Sequence, residues 1–214
     1  MCNKWLNKIS ILVIGLSFLV GLYFYPKMPD RMASHWNIRN EIDGYMPKLW
    51  GLFLMPVLSL GMYGLFLFIP KIDPLKENIK KFKSYYSGFI VVLIGFLFYI
   101  YFLTILANLG YGFNMGMILN PALSVLFFYI GFLLSHTKRN WFIGIRTPWT
   151  LENDKIWEKT HKLGAKLFKI SSLLILVGIV FPDYTFWVVM GSALLAGLTP
   201  VIYSYFLYQK EKKK

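Results

Sequence analysis

Three histidines and ten carboxylates are the side chains through which this chain could move protons or hold a metal, and their spacing limits both. Glu158 and His161 stand close enough for an acid–base pair on a helix, but no nucleophile accompanies them. His35 and Asp43 offer two metal-ligand types at irregular spacing, which is short of a zinc site. No HExxH helix, nucleophile elbow or P-loop occurs. Neither catalysis nor a metal or cofactor site is therefore expected. The conspicuous cation is Arg146 in "GIRTPWTL", residues 144–151. Its planar fork of donors can brace helix C-terminal carbonyls or bind a lipid phosphate. Thr147, Pro148 and Trp149 follow it, and Trp157 and His161 can touch across one helical turn.

The elements that must hold these residues are apolar. Of the 214 residues 57% are hydrophobic and 15% charged, against about a quarter charged in soluble domains. Apolar segments run at 9–25, 49–69, 85–107, 117–135, 168–182 and 185–208. Backbone polar groups cannot stay unpaired in lipid, so these segments must be helical. The expected fold is an all-α integral membrane protein of six transmembrane helices, with a short interfacial cytoplasmic helix before the fifth. The first apolar run imitates a signal peptide, but no small-residue cleavage site follows it, and it reads as a retained span. The single cysteine, Cys2, excludes an intramolecular disulfide and a thiolate metal cage.

The net charge of +13 is spread in clusters between apolar runs, not along one stripe, which argues against direct nucleic-acid binding. With the N-terminus inside, 19 of the 23 Lys and Arg become cytoplasmic, leaving Lys27, Arg31, Arg39 and Lys48 in one outer loop. Both termini are then cytoplasmic. His35 lies outside while His136 and His161 lie inside, so the three cannot share a site. No ionisable residue falls well inside a span, which counts against ion-coupled transport. Pro56, Pro121 and Pro200 are expected to kink their helices. A small-molecule or lipid transporter built around proline-broken spans is the alternative reading.

Three polar segments remain. The outer loop, residues 26–48, carries an Asp43-Gly44 turn signal, and Trp36, Tyr45 and nearby Trp50 suit the membrane interface. It is either the surface an extracellular molecule meets first or a cap over the bundle. In "DPLKENIKKFKSYY", Asp73 is placed to cap a helix with Pro74 at its first position, and Leu75, Ile79 and Phe82 form its apolar stripe. In the loop of residues 136–167, Thr150 is expected to N-cap a basic interfacial helix. Ile156, Trp157, Thr160, Leu163, Gly164, Leu167 and Phe168 share one face of that helix, which leads into span five.

These segments carry a resemblance to the SdpI family of multi-pass membrane proteins. "MPDRMASHWN…DGYMPK" resembles the family's N-terminal domain of unknown function, with Pro29, His35, Asp43 and Lys48 in place. "DPLKEN" supplies Asp73, Pro74 and Asn78. The most specific match is the segment from Asn140 to Phe168, which retains Gly144, Arg146, Thr147, Pro148, Trp149, Thr150, Leu151, Trp157 and His161. The chain departs from the pattern at "NIRNEID", which lacks a usual glycine, and at Ala165, where a second glycine is common. The resemblance implies an immunity and signalling protein at the cell membrane. A secreted toxin peptide would be its partner outside, a small winged-helix repressor its partner inside, and membrane lipids its surroundings. It also implies that His35, Asp43, Lys48, Asp73, Asn78, Arg146, Thr147, Pro148, Trp149, Trp157 and His161 serve those partners.

Overall fold

The structure, a computed structural model, describes residues 4–213; Cys2 and Lys214 lie outside the described residues. The chain runs α1 (Lys4–Phe24), β1 (Arg31–Trp36), β2 (Ile42–Pro47), α2 (Lys48–Ile72), α3 (Lys76–Lys81) and α4 (Lys83–Asn108). It continues through α5 (Met115–Leu134), α6 (Pro148–Glu152), α7 (Asp154–Val177) and α8 (Thr185–Lys212). Among the described residues, five helices are long and apolar enough to cross a membrane: α1, α2, α4, α5 and α8. The exception among the long helices is α7. Its first two thirds carry Asp154, Lys155, Glu158, Lys159, Lys162, Lys166 and Lys169. The segment expected as span five, 168–182, proves to be only the second half of α7, because helix gives way to turn after Val177. The basic stretch expected to lead into span five is continuous with that apolar stretch in one rod, and the short helix α6 precedes it.

The long helices pack as two groups. In the first, α1 and α2 lie against α4 around large side chains: Tyr63, Phe82, Tyr86, Ile90 and Ile94 are all buried. In the second, α5, α7 and α8 approach closely through small residues. The Ser124 hydroxyl donates to the Ser172 carbonyl (2.8 Å) and that of Ser171 to the Ser192 carbonyl (2.9 Å). Gly131 faces the Ala165 carbonyl so tightly that an added Cβ would lie 2.8 Å from it. Small residues with hydroxyl bridges are the packing style of helices in lipid, where burying apolar area between them gains little. α4 and α5 form the seam between the groups. α2, α5 and α8 run unbroken through Pro56, Pro121 and Pro200, so the interrupted helices of a transporter site are not formed.

At one end of the bundle the segment expected as a loop is an antiparallel hairpin of β1 and β2. Asp43-Gly44 does not make its turn. The turn is Asn37–Glu41, with Asn40 in the left-handed region at φ 64°, and Gly44 lies within β2 opposite His35. The pairing slips between Ala33 and Trp36, and a bulge of that kind erases the period-2 pattern by which a strand announces itself. Met32 is fully buried against Gly51 of α2, and Asn108 at the end of α4 clamps Ala33 by accepting from its N–H (2.7 Å) and donating to its carbonyl (3.0 Å). The opposite end holds α3, α6, the connection between α5 and α7, and the ends of α1 and α8.

Candidate functional site

Most of the candidate residues meet at the end opposite the hairpin, where the chain between α5 and α7 is tied down from three sides. The first tie comes from α3 and the turn before it. Asp73 is a buried carboxylate (2% exposed) that accepts from the Leu75 N–H at 2.6 Å and the Trp141 N–H at 2.9 Å. It does not N-cap a helix: α3 starts later, after Leu75, and Asp73 spends its second oxygen across the fold. A carboxylate gains more from two converging N–H groups in a buried site than from an exposed cap. Asn78 donates to the Arg139 carbonyl at 2.9 Å, and Arg139 in turn donates to the Leu151 carbonyl (2.8 Å) and pairs with Asp154 (2.6 Å). Asn140, fully buried, closes the turn by accepting from the N–H groups of Phe142 and Ile143.

The second tie comes from α7. The Trp157 indole donates to the Thr137 carbonyl at 3.1 Å, and its ring stacks on His161 with centroids 3.9 Å apart. His161 uses both ring nitrogens. The Ile145 N–H donates to Nε2 at 3.0 Å, so Nε2 carries no proton; Nδ1–H donates to the Trp157 carbonyl at 2.8 Å. This fixes the neutral tautomer. Burial pushes the His161 pKa down to about 4, against the smaller opposing effect of the Trp157 carbonyl. Gly144 makes the close approach possible. Its φ of +113° is left-handed, and a Cβ there would collide with the His161 Nε2.

The third tie comes from α8. Thr147, not Thr150, is the N-cap: its hydroxyl accepts from the Thr150 N–H while the Thr150 hydroxyl accepts from the Thr147 N–H, a reciprocal capping box. Pro148 takes the first position of α6, as its fixed φ favours. The helix starts earlier than expected because Pro148 and Thr150 complete the box together. α7 has its own cap, Asn153, whose side chain accepts from the Lys155 and Ile156 N–H groups. The Thr147 hydroxyl also meets the Ser204 hydroxyl at 3.1 Å, and Trp149 packs edge-on against Tyr205. Arg146, by contrast, is exposed and donates only to the Trp141 carbonyl at 2.9 Å, a loop carbonyl and not a helix end. The rest of its fork faces outward.

His35, Asp43 and Lys48 stand apart at the hairpin. His35 and Asp43 pair across the strands at 2.5 Å, Lys48 pairs with Asp30 at 3.0 Å, and all four groups are within reach of solvent. Such exposed pairs hold geometry more than they add stability. Sequence reasoning missed Arg139, Asn140, Asn108 and Ser204. Arg139, Asn108 and Ser204 are ordinary polar residues whose roles are set by partners distant in sequence, whereas Asn140 bonds residues two and three positions away.

Residues 136–204 match the SdpI/YfhL protein family, and residues 12–60 match a domain of unknown function (DUF1648). The chain is 27% identical over 205 residues to "Immunity protein SdpI" of Bacillus subtilis (strain 168), an alignment covering 95% of this chain and 96% of that protein. No solved structure matches. The family segment spans the latched chain, α7 and most of α8. It contains the residues of the second and third ties except Tyr205, while Asp73 and Asn78 of the first lie before it.

Proposed function

For an SdpI-family chain, like an immunity protein from end to end, we propose that the function is immunity at the cell membrane: resistance to a secreted toxic peptide, with a cytoplasmic face able to hold a transcriptional repressor. The observation that carries the reading is the near-full-length similarity to an immunity protein. Homology of both ends matters here, because each end has its own task. In this reading α7 is the sixth crossing. It returns the chain from the latched end to the hairpin end between α5 and α8, with its lysines snorkelling to the headgroups. The split of Lys and Arg then sets the hairpin outside and the latched end, with both termini, inside. The toxin meets the hairpin face with His35, Asp43 and Lys48; the repressor meets the basic face framed by Arg146 and α7.

Survival tests the immunity reading. The full chain is expressed in a strain killed by toxin-secreting Bacillus cells, and survivors are counted beside a strain carrying an empty vector. Protection at normal membrane level is expected. Killing equal to the empty-vector strain, with the protein present in the membrane, would overturn it.

A further inference from the structure

Asn120, like the Tyr101 hydroxyl, is a buried group that the fold leaves without a hydrogen-bond partner toward the hairpin end. It is 1% exposed, yet neither its carbonyl oxygen nor its amide nitrogen has a hydrogen-bond partner. Its position explains why. α7 ends at the depth of Asn120: a Cβ on Gly178, the residue after α7, would sit 3.1 Å from the Asn120 Nδ2. Asn120 is five residues into α5, so α7 stops about 8 Å short of where α5 begins. The turn is fastened there by the Thr185 hydroxyl, which donates to the Gly178 carbonyl at 2.9 Å. Above it the hairpin tip is pinned to α5, since the Asn40 side-chain Oδ1 accepts from the Met115 N–H at 2.6 Å. A recessed helix beneath a fixed roof leaves a notch of about 520 Å³ between hairpin, α5 and α8. Leu119, Leu123, Phe186 and Val189 make part of its walls, Asn37 and Arg39 part of its rim, and Asn120 lines it.

We propose that this notch is a receptor site for an apolar peptide segment and that Asn120 pairs with the peptide backbone. A carboxamide presents a donor and an acceptor side by side, the complement of the N–H and C=O that a single residue of an extended peptide turns to the same side. An acyl chain could fill the apolar walls but could not answer Asn120, and an isolated phosphate would leave its donor–acceptor pairing half used. A buried amide left unpaired costs stability in the empty protein, and a ligand that pairs it recovers that cost. The proposal deepens the immunity reading and rests on it only for the source of the peptide.

The test uses two reagents of defined structure on the full chain in lipid nanodiscs. In a Cys2→Ser background, Phe186→Cys places one thiol in the wall of the notch. Its rate of labelling is measured with maleimidopropionyl-Leu-Ala-Leu-amide, which has a backbone, and with N-hexylmaleimide, which has none. Both rates are divided by the rate with glutathione. Asn120→Leu should slow the peptide reagent about tenfold and leave the hexyl reagent unchanged, the worth of roughly two neutral hydrogen bonds. The thermal midpoint of Asn120→Leu should be equal to or above that of the parent, because an unpaired amide has been removed. Equal rates for the peptide reagent with and without Asn120, or a lowered midpoint with both rates changed together, would overturn the proposal. If the Leu variant does not reach the membrane, Asn120→Ser should give the same selective loss, its hydroxyl being too short to pair. In the survival assay Asn120→Leu should lose protection. If the parent chain itself does not protect, the immunity reading fails while the labelling ratio still decides the notch.

Discussion

His161 gives the latched end a pH dependence whose size can be worked from its surroundings. Replacing it with Phe keeps a ring to stack on Trp157 but removes the acceptor for the Ile145 N–H and the donor to the Trp157 carbonyl. Leaving that N–H without a partner in a largely buried turn should cost about 2 kcal/mol at pH 7.5. Acid acts differently on the two proteins. The folded parent holds His161 neutral down to about 4, whereas the unfolded chain takes up the proton near the ordinary value of about 6.5. Between those values the unfolded state binds more protons, so stability falls as pH falls. The contribution is whole above about pH 6.5 and is lost by about pH 4, at up to 1.36 kcal/mol per pH unit, or about 3 kcal/mol across the window. Carboxylates also titrate there, but they do so alike in both proteins and cancel in the difference. Unfolding in detergent, followed by Trp fluorescence from pH 8 to 4.5, should show the parent more stable at pH 7.5, the two proteins equal near about pH 5, and the variant slightly the more stable at pH 4.5. A constant difference across that range would refute a neutral, doubly bonded His161.

The remaining predictions concern the ties around it and the topology. Gly144→Ala, which forces a side chain into the left-handed region and against the His161 ring, should destabilise by about 2 kcal/mol or more; unfolding midpoints will check it, and an unchanged midpoint would mean the turn is not closed on His161. Asp73→Asn should cost about 1–3 kcal/mol, since a carboxamide has one accepting oxygen for two N–H groups; an unperturbed variant would show that the bond to Trp141 adds nothing. In a Cys2→Ser background, single cysteines at Asn37 and Asp183 should react with an impermeant thiol reagent on intact cells, and those at Asn153 and Gln209 only after lysis. Labelling of the Asn153 position from outside would reverse the orientation.

How far the chain could be read from its letters depended on the range of the force at work. Helices crossing lipid follow from composition alone, and apolar runs such as 85–107 and 117–135 lie within a few residues of α4 and α5. The capping residues were harder. Thr150 has the right chemistry for an N-cap, but Thr147 takes the role because Pro148 fixes the next φ and Ser204, from a distant helix, meets its hydroxyl. The hairpin was hidden for a related reason: its strands are held by Met32 and Asn108 contacts and carry a bulge, so neither alternation nor the Asp43-Gly44 signal marks them. The site divides along the same line. Trp157 and His161, four residues apart on a helix, are predictable as neighbours. Asp73 with Trp141, and Asn78 with Arg139, are not, because their separations of 68 and 61 residues encode nothing local.

One helix joins the two ends. α7 carries Trp157 and His161 of the latch in its first half, and the chain just past its last residue, at Gly178, meets Asn120 in the notch. Between them it is a continuous helix, packed against α5 and α8 at Gly131, Ser124 and Ser192. On the proposed reading, immunity alone would need only the notch, because holding a peptide asks nothing of the far end. Signalling asks more: a ligand moves an equilibrium only by as much as its affinity differs between two arrangements. The small-residue contacts of α7 set a limit on what those arrangements can be. A sideways shift would part Gly131 from Ala165 and break two hydroxyl bridges, whereas a rotation or slide along its axis would exchange them one turn at a time. The latch opposes such a slide through His161, whose bond to Ile145 must break before the first half of α7 can move. If the proposed peptide acts through α7, breaking that bond is part of the work it must do to alter the latched end.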